Sequence, residues 1–135
     1  MPILNLSVSP LQNPERYQTL AAAMTRLTVD LLGKRPEVTA VKVEDLPAGQ
    51  WFVGGRPVEE PTAYLEISVT QGTNTAAEKG AFVEQAFAEL QRQLAPAGRL
   101  APASYVVVRE VPATDWGYGG QTQRARQRVR EMATT

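Results

Sequence analysis

Pro2 stands directly behind the initiator Met. Methionine aminopeptidases remove Met before a small residue such as proline, and the product carries a secondary amine at its terminus. A free α-amino group titrates near ~8, closer to neutrality than the ordinary side-chain bases left in this sequence. Partial burial or a nearby cation would draw it towards ~7 or below by disfavouring the charged form. A base poised there can take a proton alpha to a carbonyl at neutral pH. The composition leaves it few rivals. There is no His and no Cys, which removes the commonest general base, every Ser-His triad, thiolate nucleophiles and Cys-ligated zinc. A Met-Pro start alone is a weak signal, because proline also simply begins strands.

Other polar clusters point less sharply. Arg124, Arg126, Arg128 and Arg130 form a basic segment with no acid until Glu131. Such a run can catch an anion, but a solvated tail or an oligomer-sealing segment is the commoner outcome. Lys34 follows a helical pattern and could merely complement its negative end. No Walker pattern is present and the acids are scattered, so no cofactor and no metal site are expected. The 135 residues suit one domain, and the 14 basic residues balance 14 acidic ones. Zero net charge argues against a nucleic-acid partner. No apolar run approaches a membrane span and no basic signal region precedes Ile3, so a soluble, cytoplasmic protein with no membrane partner is expected.

The elements that would position these residues come in two copies. Ile3-Leu4-Asn5-Leu6-Ser7-Val8-Ser9 lies over Tyr64-Leu65-Glu66-Ile67-Ser68-Val69-Thr70 (Leu4 to Leu65, Leu6 to Ile67). Each alternates apolar and polar, the period of a half-buried strand. After the first, Asn13 and Pro14 read as N-cap and first helical residue, and Gly33 as a C-cap. Tyr17, Leu20, Ala21, Met24, Leu27 and Leu31 form the apolar stripe. After the second, Thr75 and Glu78 make a capping box, with Phe82, Val83, Ala86, Phe87, Leu90 and Leu94 as the stripe. Each copy closes with a further strand, a tryptophan and two glycines: Val41-Lys42-Val43, Trp51, Gly54-Gly55, then Val106-Val107-Val108, Trp116, Gly119-Gly120.

The expected fold class is therefore α+β: duplicated β-α-β units forming a four-stranded mixed sheet with two helices on one face. The organisation is one domain over 1–135, with repeats at about 2–56 and 63–120 and the basic segment at 121–135. Asn5, Ser7, Lys42, Glu44, Glu66, Ser68 and Arg109 would occupy the other, polar face, open to solvent or to an oligomer centre.

A chain beginning Pro-Ile-Leu-x-Leu and built from two such units resembles the tautomerase superfamily. The glycine pairs behind Trp51 and Trp116 resemble the 4-oxalocrotonate tautomerase subunit in duplicate. Gly33-Lys34-Arg35-Pro36, Ala40 to Val43, Glu60-Pro61 and Tyr105 are similar to macrophage migration inhibitory factor. The likeness spans nearly all of residues 2–120 and implies a tautomerase-like fold of fused, double-length type.

The resemblance implies that Pro2 is the general acid–base, and that one site exists per chain, because Ala63 stands at the second equivalent place. Lys34 matches a lysine that contacts the substrate's carboxylate or enol oxygen. Tyr105 matches a tyrosine that reaches the proline from a neighbouring subunit. Trp51 and Trp116 match an aromatic pocket wall, and Lys42 and Arg109 are further cationic candidates. Where the 4-oxalocrotonate enzyme has an early arginine, this chain has Gln12, or Arg16 after a gap; the other arginine falls nearest Lys42. These departures leave the preference for dicarboxylates open. The implied activity is keto–enol tautomerisation of a small 2-oxo acid or enol. The alternatives are hydrolytic dehalogenation or decarboxylation of a 3-carbon acid, with Glu110 or Asp115 activating water, or a non-catalytic binding protein. The implied assembly is a homotrimer around the polar sheet faces.

Overall fold

The caps read from the sequence set the helix boundaries. In the computed structural model, which describes residues 1–134, the Asn13 side chain accepts from the Arg16 amide at 2.9 Å. Pro14 opens helix α1 (Pro14–Leu32), and Gly33 closes it at a φ of 68°, a left-handed conformation suited to glycine. Thr75 and Glu78 cap helix α2 (Ala76–Leu94) reciprocally. Gly80 lies within α2 without interrupting it.

Four strands form the main sheet: β1 (Ile3–Ser9), β2 (Ala40–Asp45), β5 (Thr62–Thr70) and β6 (Tyr105–Val111). Their order is β2-β1-β5-β6. β1 pairs parallel to β2 and antiparallel to β5, and β5 pairs parallel to β6. Each unit is thus a strand, a crossover helix and a parallel strand, and the two units meet along the central pair β1 and β5. Each ends in a short hairpin: β3 (Phe52–Val53) with β4 (Arg56–Pro57), then β7 (Gly117–Tyr118) with β8 (Gln121–Thr122). The duplication reaches single hydrogen bonds. The Val58 amide donates to the Trp51 carbonyl in one unit, and the Gln123 amide to the Trp116 carbonyl in the other, both at 2.9 Å.

The core lies between the sheet and both helices. Leu4, Leu6, Val8, Leu65, Ile67 and Val69 point into it from the two central strands; Leu20, Met24, Phe82 and Leu90 meet them from the helices. Fully burying each such side chain contributes about 1.5–3 kcal/mol. The opposite sheet face is polar and cross-linked: Ser7 donates to Glu44 at 3.3 Å and Arg109 to Glu66 at 3.2 Å.

The basic C-terminal segment, for which no secondary structure was expected, forms a third helix, α3 (Gln123–Thr134). Its first residues dock on the loop before β7, where the Arg124 amide donates to the Ala113 carbonyl at 2.9 Å. No helix among the described residues is long and apolar enough to cross a membrane.

Candidate active site

Pro2 is buried at the start of β1, and its carbonyl accepts from the Ala40 amide at 3.2 Å where the parallel ladder with β2 begins. Beside it lies a cavity of about 210 Å³, lined among others by Met1, Pro2, Lys34, Arg35, Tyr118 and Arg130. Four separate parts of the chain converge there. β1 supplies Pro2, and the Gly33 cap turns the chain so that Lys34 and Arg35 face the cavity. The end of β5 and the turn after it bring Thr70 and Thr73, and the second hairpin with α3 brings Tyr118, Gln123, Gln127 and Arg130.

The cavity is cationic. Lys34, Arg35 and Arg130 line it, Arg35 being paired with Glu37 at 2.8 Å, and among the described residues no Asp or Glu does. Lys34 Nζ donates to Thr73 Oγ1 at 2.9 Å, which engages one of its three protons. Burial holds the Lys34 ammonium below its ordinary pKa, partly offset by Glu78. The α-amine of Met1, in the same cavity, is lowered from 8.0 to about 6. Burial is the largest cause; the charges of Lys34, Arg130, Arg35 and Arg126 follow. An amine here is therefore largely neutral at pH 7 and can accept a proton. Among the described residues, no group of three His, Cys, Asp or Glu side chains converges to hold a metal ion.

Two of the expected site residues, Pro2 and Lys34, are thus brought together. The other five stand apart from Pro2 within one chain. Lys42 pairs with Asn5 and Arg109 with Ser68 in the sheet, and both side chains project from the open polar face. Tyr105 is 60% exposed at the far end of the sheet. It pairs with Tyr64, whose partner on β1 is Ser7, several residues from Pro2. Trp51 is half-buried before the first hairpin. Trp116 lines a separate groove with Asp115, Gly117 and Gln121.

The carboxylates considered for water activation are elsewhere as well. Glu110 is ion-paired with Lys79 and accepts from the Gly72 amide at 3.2 Å. Asp115 lies in the Trp116 groove.

Sequence reasoning missed the residues of the second hairpin and α3. Tyr118 enters the cavity in a clasp with Arg126, whose guanidinium carbon is 3.8 Å from the ring centre. Arg126 Nη2 also donates to the Tyr118 carbonyl at 2.8 Å. Gln123 is buried, and its Nε2 reaches the Met1 carbonyl at 3.5 Å. Gln123, Gln127 and Arg130 follow the i, i+4, i+7 spacing of one helix face, which was the available signal.

Known proteins agree with this architecture. Residues 2–60 match the family described as Tautomerase enzyme. The chain is 34% identical over 61 residues to a probable tautomerase K2 of Dickeya dadantii (strain 3937), covering 44% of this chain and 91% of that protein. The solved structure of the F6 fused 4-OT, a wild-type asymmetric trimer, superposes with a TM-score of 0.77 at 28% identity, over 92% of this chain and 98% of that one. A member of the cis-3-chloroacrylic acid dehalogenase family, N1, shares the fold with a TM-score of 0.75 at 22% identity, over 98% of both chains. The chain belongs to the tautomerase family, and its duplicated β-α-β architecture has the fused form.

Proposed function

We propose that this protein is a keto–enol tautomerase that uses the amine of Pro2, freed by removal of Met1, as its general acid–base. The observation that carries the proposal is the placement of Pro2, buried beside a cavity lined by three cations and, among the described residues, no carboxylate. Removing Met1 leaves the terminal amine in this environment, where burial and cations keep an α-amine low. Neutral Pro2 nitrogen takes a proton from the carbon alpha to the carbonyl of a small 2-oxo acid. The enolate charge that develops is stabilised by Lys34, whose ammonium is anchored on Thr73. The protonated amine then returns the proton to the enolate, at oxygen to give the enol or at carbon to give the keto form.

A single site per chain follows from the repeat. The second unit has Ala63 in place of Pro2, and its amide donates to Ser104 Oγ at 3.1 Å. Pro96 follows the α2 cap where Lys34 follows that of α1. A homotrimer is supported by the trimeric F6 relative. It would carry Tyr105 of one subunit towards the Pro2 cavity of the next, as the sequence resemblance implies. Dehalogenation is the weaker reading, because Glu110 is committed to Lys79 and Gly72.

The test is Pro2→Ala in protein whose Met1 is removed, assayed for tautomerisation of phenylpyruvate and 2-hydroxymuconate. A loss of about 10²-fold or more in kcat/KM is expected for removal of a positioned base. Unchanged rates on both substrates would contradict the reading.

A further inference from the structure

We propose that Arg130 is a specificity-determining residue whose guanidinium binds a second anionic group of the substrate, Lys34 holding the first, while Arg35 is paired with Glu37 at 2.8 Å. This rests on the reading of the Pro2 cavity as a substrate site.

The geometry distinguishes Arg130 from its neighbours on α3. Arg124 pairs with Glu131 at 3.7 Å. Arg126 is spent on Tyr118. Arg128 is exposed and does not line the cavity. Arg130 lines it, and no hydrogen bond or ion pair to a described residue occupies its guanidinium. Arg130 is exposed like Arg128, and what sets it apart is that it lines the cavity with Lys34 and has no counter-charge among the described residues, so it can receive an anion there. Guanidinium also matches a carboxylate in two parallel hydrogen bonds, which a lone ammonium cannot.

The chain places this arginine with several contacts. The Gln123 amide donates to the Trp116 carbonyl at 2.9 Å, and Arg126 clasps Tyr118, so α3 is fixed at two successive turns before Arg130, neither contact involving Met1. Lys34 comes from the loop after α1, a different element. Two cationic contacts on independent elements suit a ligand with two separated charges. One end would sit near Lys34 beside the Pro2 nitrogen, and the other on α3.

Binding of cis,cis-muconate, a dicarboxylate without a carbonyl, tests this without turnover. Titration calorimetry on Met1-free protein would compare the wild type with Arg130→Gln and Arg128→Gln. Benzoate serves as the single-charge probe. The account predicts that Arg130→Gln weakens muconate by about tenfold or more, the scale of a charge-assisted hydrogen bond, and benzoate distinctly less. Arg128→Gln should leave muconate affinity unchanged. Wild-type muconate affinity in Arg130→Gln would overturn the proposal. So would equal weakening of both probes, or an equal loss in Arg128→Gln, which would reduce the effect to net charge. Because no proton transfer is measured, the Arg130 result stands apart from that of Pro2→Ala.

Discussion

Lys34 Nζ and Thr73 Oγ1 meet at 2.9 Å and join the two repeats beside Pro2. Lys34 belongs to the loop after α1, and Thr73 to the turn after β5, where its own hydroxyl donates to the Thr70 carbonyl at 2.6 Å. The duplicated halves therefore both line the cavity beside Pro2. Lys34→Gln should lower kcat/KM for a 2-oxo acid by about tenfold through loss of a charge-assisted contact to the developing enolate. Thr73→Val should lower it less, since the ammonium remains. Steady-state kinetics of both variants check this order; a larger effect from Thr73→Val would contradict it.

The pH dependence has a definite sign. The α-amine in this cavity is depressed to about 6 by burial first and by Lys34 next. With the neutral amine as the proposed base, kcat/KM should rise with pH through a midpoint lowered from that of a free terminal amine. A cation disfavours the ammonium form, so Lys34→Gln or Arg35→Gln should move the midpoint to higher pH. Added salt should move it the same way by screening. A pH–rate profile of each variant reads the shift directly, and a midpoint moving to lower pH would contradict the assignment.

Gly119 has a φ of 61°, and a methyl group there would stand 2.7 Å from Arg126 Nη2. Gly119→Ala should cost about 1–2 kcal/mol from the left-handed backbone alone and should loosen the Arg126–Tyr118 clasp. Amide exchange in α3 should accelerate while exchange in β1 and β5 stays slow. Uniform protection in the variant would show that the clasp does not hold the helix.

Tyr105 lies at the end of the sheet away from Pro2, so any role in catalysis requires a neighbour. Native mass measurement should give three times the 14.7 kDa chain, less the three removed methionines. Tyr105→Phe should then lower kcat/KM by about tenfold, the value of one hydrogen bond in the transition state. A monomeric mass with full activity would contradict both.

Much of the scaffold was legible because its signals are local and periodic. Strand alternation in Leu4, Leu6 and Val8, the Asn13 and Thr75 caps and the Gly33 stop each depend on neighbours within a few residues. The matching second copy turned these signals into a topology. Pro2 stood out by its place behind Met1 and Lys34 by the family resemblance, and the structure brings both to one cavity. The α3 wall was not. Its helix docks through Gln123, an arginine–tyrosine clasp and backbone carbonyls, and it has no apolar stripe comparable to those of α1 and α2. The Arg124 to Arg130 run read as a polar tail for that reason. Tyr118 was hidden in turn by Trp116, the larger aromatic two residues earlier, which occupies a separate groove.

The most direct test of the central claim is the titration of the Pro2 nitrogen by ¹⁵N NMR in protein isolated without Met1. The account predicts a single amine that titrates clearly below a free N-terminal proline, the direction in which this cavity shifts the Met1 amine. An amine titrating where a free N-terminal proline does would mean that burial and the Lys34 field do not act on it. A retained Met1, leaving Pro2 nitrogen as a non-titrating amide, would remove the proposed base altogether.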